Sequence, residues 1–146
     1  MGCQVPARES SQVVTGVAVG SVLAGKYRVE EVLGTGGMGV VVSALHLQLD
    51  ERVAIKFLLP AAMESPEVVA RFAREARAAV KIKSEHVARV IDVGTLDNGA
   101  PYIVMEHLKG ADLAALLQRG GTLPVEATVE YVLQACEAAL AGAGDG

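Results

Sequence analysis

Two short stretches hold the residues whose types and spacing could do chemistry. The first, Leu33-Gly34-Thr35-Gly36-Gly37-Met38-Gly39-Val40-Val41, fits the pattern G-x-G-x-x-G-x-V, and the second, Val53-Ala54-Ile55-Lys56, follows a short way on. Glycines remove side chains, so backbone N–H groups can approach an anion closely and adopt dihedrals that other residues avoid. The lysine brings a compact positive charge to the same anion. Together they describe a phosphate cradle, with fixed N–H dipoles on one side and a cation on the other. Either stretch alone is a common pattern; the pair in this order is specific. The histidines His46, His86 and His107 stand far apart without ligand spacing, so no metal site is expected.

The flanking elements decide which kind of phosphate loop this is. Tyr27 to Leu33 alternates polar and apolar residues, which predicts a half-buried strand. The glycines break it, and Val40-Val41-Val42 resume in β-branched residues as a second strand continuing towards Leu49. Asp50-Glu51 makes a turn, and Arg52 to Leu59 forms a third strand stopped by Pro60. A dinucleotide-binding glycine loop must open a helix, and a Walker loop must end in Gly-Lys-Ser/Thr. Here Val40 and a strand follow Gly39, so the order is strand, glycine loop, strand.

Further along, Ser65-Pro66-Glu67 is a helix start: a capping hydroxyl, a proline suited to the first turn and an acid at the positive end of the dipole. This helix is expected to run to about Lys83, with Phe72, Ala76, Ala79 and Val80 as an apolar stripe. Glu75 stands beside the stripe amid Arg71, Arg74, Arg77, Lys81 and Lys83. Helix geometry alone reads it as a solvated acid pairing with Arg71 or a neighbour, and reads the basic residues as a solvated face that could also dock an acidic partner. His86 to Thr95 and Pro101 to Leu108 are expected strands joined through Asp97-Asn98-Gly99, a hairpin signal. Asp112 to Arg119 is a short helix, and Pro124 opens a longer one with Val125, Val129, Val132, Leu133, Cys136 and Leu140 at helical spacing, ending near Gly142.

The 146 residues suffice for one domain with a sizeable core; 51% are hydrophobic but only 3% aromatic, so that core must be aliphatic. A net charge of −4 gives no reason to expect nucleic acid or an acidic membrane surface. Two cysteines, Cys3 and Cys136, make no disulfide framework and fit a reducing, cytoplasmic setting. No apolar run reaches the roughly 18 residues that span a bilayer. Val13 to Gly25 is uncharged but short and reads as a lead into the first strand, and Pro6 stands where a myristoylation signal needs Ser or Thr.

With the glycine loop, Val-Ala-Ile-Lys and this element order in hand, the chain resembles a protein kinase from about Val19 to Leu140. The wording of the loop is similar to bacterial serine/threonine kinases of the eukaryotic-like family. The fold so implied is α+β: a kinase small lobe of five antiparallel strands with one long helix, then two helices of an incomplete large lobe. The implied boundaries are a flexible tail over 1–18, the ATP-binding lobe over 19–108, a partial large lobe over 109–141 and a truncated tail over 142–146. The resemblance implies that Gly34, Thr35, Gly36, Gly37, Met38 and Gly39 fold over the ATP phosphates. It implies that Lys56 holds the α- and β-phosphates and pairs with Glu75, against the plain helical reading of that acid. Leu33, Val41 and Ala54 would wall the adenine, which needs the same apolar side chains a plain core would. Met105 resembles the gatekeeper, and Glu106, His107 and Leu108 resemble the hinge, whose backbone bonds the adenine edge. Asp112 resembles the acid near the ribose, and would equally serve as a helix N-cap. Ala79 and Val90 match two apolar positions that align the lobes.

The departure from the family pattern is large. Its catalytic loop, His-Arg-Asp-Leu-x-x-x-Asn, and its Asp-Phe-Gly supply the base and the magnesium ligands, and neither occurs in these 146 residues. Asp145, in Gly-Asp-Gly, has no matching context. The expectation is the ATP-binding portion of a serine/threonine kinase, stopping before the catalytic loop and inactive alone, with ATP as ligand and the Mg2+ ligands missing. The alternative is a nucleotide-binding, pseudokinase-like regulatory module or a protein-interaction module. Its protein substrate or regulatory partner is unspecified, and self-association through the exposed face of the last helix is possible in either case.

Overall fold

Along residues 40–44, Val40, Val42 and Ala44 point to one side of a strand and Val41 and Ser43 to the other, and this period of two builds the sheet. The computed structural model describes residues 17–36 and 38–144. Its strands are β1 (Val22–Leu23), β2 (Tyr27–Thr35), β3 (Gly39–His46), β4 (Glu51–Leu58), β5 (Val90–Thr95) and β6 (Pro101–Glu106); its helices are α1 (Pro60–Met63), α2 (Pro66–Lys81), α3 (Leu113–Gly120) and α4 (Val125–Ala143). The strands form one six-stranded sheet in the order β1-β2-β3-β4-β6-β5, antiparallel throughout. The expected tail up to residue 16, with Cys3, and also Gly37 and Asp145, lie outside the described residues.

The α+β architecture is as expected, with one correction to the strand count. The sheet has six strands rather than five, because Val22–Leu23 folds back on Tyr27 and Arg28. A tight turn makes that possible, with Ala24 at φ 49° and Gly25 at φ 66°. Several ends also move for local reasons. β3 stops at His46 because the ring Nδ1 accepts from both Gln48 N and Leu49 N, at 3.3 Å each, and turns the chain. β5 begins at Val90, not His86, because Ser84 accepts from His86 N through its hydroxyl and from Val87 N through its carbonyl. Pro60 opens the single turn of α1 as well as ending β4. α2 is capped as predicted, Ser65 Oγ accepting from Val68 N at 3.5 Å, and ends at Lys81.

The two faces of the sheet are buried differently. One face carries Val29, Val40, Val42, Ala44, Val53, Ile55, Phe57 and Val104, all buried, with Tyr27 and Tyr102 at its edge. On the other, α2 lays Phe72 and Ala76 against Leu58 and Ile103. α3 and α4 contribute no buried residue, and Leu113, Val125, Val129, Val132, Leu133 and Leu140 stay exposed. α4 is tied to the rest by His86 Nε2 with Glu137 at 2.9 Å and by Gly142 against Ile82. No described helix is long and apolar enough to cross a membrane.

Tyr27 closes the first face. Its ring meets His46 edge-on at 5.0 Å and Tyr102 at 6.4 Å, and its hydroxyl donates to Asp92 Oδ2 at 3.4 Å. Burial first, and the Asp92 carboxylate second, push the Tyr27 phenol up from 10.0 to about 12. A proton held more tightly in the folded chain gives stability that is complete below the unfolded phenol's pKa and lost as pH rises through the folded one. Thermal unfolding followed across alkaline pH should therefore show the melting temperature falling between pH 10 and about 12, with a shallower fall in Tyr27→Phe.

Candidate nucleotide-binding face

Antiparallel partners share a face, so the register shows which predicted side chains meet. Gly34 pairs with Val41, Val41 with Lys56 and Lys56 with Ile103, making one row across β2, β3, β4 and β6. The next row runs Ser43, Ala54, Met105, Val90. Val41, Ala54, Lys56 and Met105 thus lie on one face as two adjacent rows, the arrangement a flat apolar ring with a charged tail requires. Leu33 is exposed beside them, in the irregularity between Val32 and Gly34. Leu108, 67% exposed, enters no backbone hydrogen bond among the described residues, so its amide and carbonyl are free to pair with a ligand.

The glycines divide by cause. A Cβ on Gly39 would lie 2.6 Å from the Phe57 carbonyl oxygen, so close approach of β3 to β4 requires glycine there. A Cβ on Gly34 would meet nothing within 4 Å, and one on Gly36 only the Gly39 carbonyl at 4.0 Å. Neither appears among the described positive-φ residues. The packing explains Gly39 and sets no requirement at the first two glycines. Thr35 and Gly36 are exposed, and Gly36 N donates to the Gly39 carbonyl at 2.9 Å to close the loop.

Lys56 is half-buried, with Nζ 5.9 Å from the Phe72 ring centre, at the outer limit of a cation–π contact. It shares a cavity of about 20 Å³ with Met38, Arg71, Phe72 and Glu75. No Lys56–Glu75 ion pair forms; Glu75 instead faces Arg71 Nε at 3.8 Å, the partner helix geometry alone had offered. Arg71 also rests against the Met38 sulfur, and so links α2 to the loop tip. Such an exposed i,i+4 pair contributes only about 0.3–0.5 kcal/mol.

Two expected residues have structural partners already. Asp112 accepts from Ala115 N at 2.7 Å as the N-cap of α3. Glu106 is pinned twice to Arg89: its carboxylate accepts from Arg89 N at 2.7 Å and its own N donates to the Arg89 carbonyl at 3.0 Å. Its amide is therefore engaged away from any ligand. The latch was not legible in the sequence, since Arg89 and Glu106 are far apart in it. Among the described residues no group of three or more His, Cys, Asp or Glu could hold a metal ion.

Gly39→Ala should destabilise the chain by about 1–3 kcal/mol, because a backbone oxygen must move. Gly34→Ala should leave stability unchanged or slightly raised. Chemical denaturation of the two variants separates them.

Comparison with known proteins agrees with this geometry. The family described as protein kinase domain matches residues 27–140. Serine/threonine-protein kinase pkn3 of Myxococcus xanthus is 40% identical over 120 residues, covering 82% of this chain and 22% of that protein. Serine/threonine-protein kinase PknB of Mycobacterium leprae is 34% identical over 119 residues, covering 80% of this chain and 19% of that one. The crystal structure of the Mycobacterium tuberculosis PknI kinase domain superposes with a TM-score of 0.72 at 30% identity, covering 86% of this chain and 50% of that one. The chain thus spans about a fifth of these two curated relatives and half of a solved kinase domain. A glycine loop and lysine on one sheet face, within a fold and sequence shared at this level, place the chain in the protein kinase domain family, among the bacterial eukaryotic-like serine/threonine kinases.

Proposed function

We propose that this chain binds ATP on the sheet face described above, as the nucleotide-binding part of a serine/threonine protein kinase, and that alone it transfers no phosphoryl group. The observation that carries the proposal is the row Gly34–Val41–Lys56 beside Ala54–Met105. Val41, Ala54 and Leu33 offer an apolar wall to adenine, and the backbone of Leu108 offers a donor and an acceptor to its edge. Gly34 and Gly36 leave clearance over the phosphates, and Lys56 brings the charge. Glu75 moves from Arg71 to Lys56 once phosphate draws the lysine forward. Asp112 keeps its capping role, with its second oxygen available to a ribose.

Phosphoryl transfer needs positioning, charge neutralisation by magnesium and a group to take the hydroxyl proton. Mg2+ would supply charge neutralisation there, but the residues that would hold it in the family, the catalytic-loop Asp and Asn and the Asp-Phe-Gly acid, do not occur in these 146 residues. The family reaction, γ-phosphate transfer to Ser or Thr of a protein, then belongs to a kinase containing those residues as well. The separation of Glu75 from Lys56 favours a second reading, a nucleotide-binding regulatory module.

ATP should raise the melting temperature with or without Mg2+, since a ligand at about 100 times its Kd stabilises by about 2.7 kcal/mol. Lys56→Met and Gly34→Ala should each lose most of that shift. No shift in the wild type, or an equal shift in Lys56→Met, rules the binding out. Radiolabelled γ-phosphate should reach no protein substrate. Transfer that survives purification and vanishes in Lys56→Met would show that the chain is catalytic.

A further inference from the structure

Met38 stands at the tip of the glycine loop and is 40% exposed. Its carbonyl accepts from Leu59 N at 3.1 Å, so the residue after β4 fixes where the side chain leaves the backbone. The thioether sulfur meets Arg71 Nη2, and Nε of the same guanidinium lies 3.8 Å from Glu75 Oε1. Met38, Lys56, Arg71 and Glu75 also line one cavity of about 20 Å³. That is room for about one water-sized oxygen atom. Of the other methionines in the sequence, Met1 lies outside the described residues, and Met63 and Met105 are half-buried against the cluster of Phe72 and Ile103. Met38 is the one exposed methionine among the described residues.

A flexible, gap-filling side chain accounts for a methionine at an exposed loop tip. It does not account for a guanidinium held against a sulfur that accepts only weakly. An oxygen on that sulfur turns the contact into a charge-assisted hydrogen bond. We propose that Met38 is a redox-modification site, oxidised by a hydroperoxide to the sulfoxide and held in that form by Arg71. A sulfur lone pair attacks one peroxide oxygen, and the S–O bond forms as the O–O bond breaks. The other oxygen leaves and takes the peroxide proton, giving water or an alcohol. Sulfur gives up two electrons, the peroxide gains them, and a sulfoxide reductase can reverse the change. The new oxygen enters the small cavity, accepts from Arg71 Nη2 and stands beside Lys56, tying the loop tip to α2. A further consequence rests on the proposed ATP-binding function: the oxygen engages donors that a phosphate needs, so oxidation weakens nucleotide binding.

The test titrates the whole chain with hydrogen peroxide and follows each methionine by peptide mass spectrometry. Met38 should oxidise before Met63 and Met105. Amide hydrogen exchange across residues 34–39 should then slow in the wild type, but not in Arg71→Gln or Met38→Leu. Methionine sulfoxide reductase should restore the original exchange. Both substituted positions are exposed, so folding is not at risk. ATP affinity should fall by roughly tenfold on oxidation, the worth of one charge-assisted hydrogen bond, and should not respond to peroxide in Met38→Leu. Earlier oxidation of Met63 or Met105, unchanged or faster exchange in the oxidised wild type, or equal slowing in Arg71→Gln overturns the proposal. None of these measurements uses nucleotide. A chain that binds no ATP before oxidation therefore fails the ATP-binding function alone, whereas ATP affinity that survives oxidation unchanged overturns the effect on binding.

Discussion

The hydrogen-bond ladder running from β3 through β4 to β6 fixes everything else in the molecule. Its unbroken register from Gly39–Leu58 to His46–Glu51, continued by Val53–Glu106 to Phe57–Tyr102, leaves each side chain only two possible directions. A slip of one residue would turn Lys56 and Ala54 into the aliphatic core and bring Ile55, now fully buried, out to the other face. Burying an unpaired lysine costs several kcal/mol, so the core enforces the register and the register places the lysine. Stability and site geometry are two consequences of one constraint.

Much of this could be read from residue order because the signals are local. The strand, loop, strand sequence, the Ser65 cap and the Asn-Gly hairpin each depend on neighbours a few residues away. The face shared by Val41, Ala54, Lys56 and Met105 follows once those strands pair. What escaped depends on residues distant in sequence or on single turns. β1 exists through the unusual dihedrals of Ala24 and Gly25. The shortened β5 follows from Ser84 bonding its own loop, and the Glu106–Arg89 latch from two elements meeting. Glu75 is the instructive case: helix geometry and family resemblance offered different partners, and the structure pairs it with the local one, Arg71.

That choice is understandable from magnitudes. Lys56 and Glu75 line the same cavity, with the lysine Nζ 5.9 Å from the Phe72 ring centre. Arg71, one helical turn away on the same element, reaches the acid at little entropic cost. Both partners are about half exposed, so the pair is weak and readily exchanged. The acid side of the site is adaptable, whereas the apolar face beneath the glycine loop is fixed by the sheet.

The division among the glycines bears on how such a loop ages. Gly39 is demanded by the spacing of two backbones, so any descendant that still folds this way must keep it. A Cβ at Gly34 or Gly36 would meet no atom closer than 4.0 Å, so packing does not hold these two positions small. A copy of this sheet that had abandoned nucleotide would be free to acquire side chains at the first two positions while retaining the third. The loop is thus constrained by the sheet at its exit and open to larger side chains at its entrance.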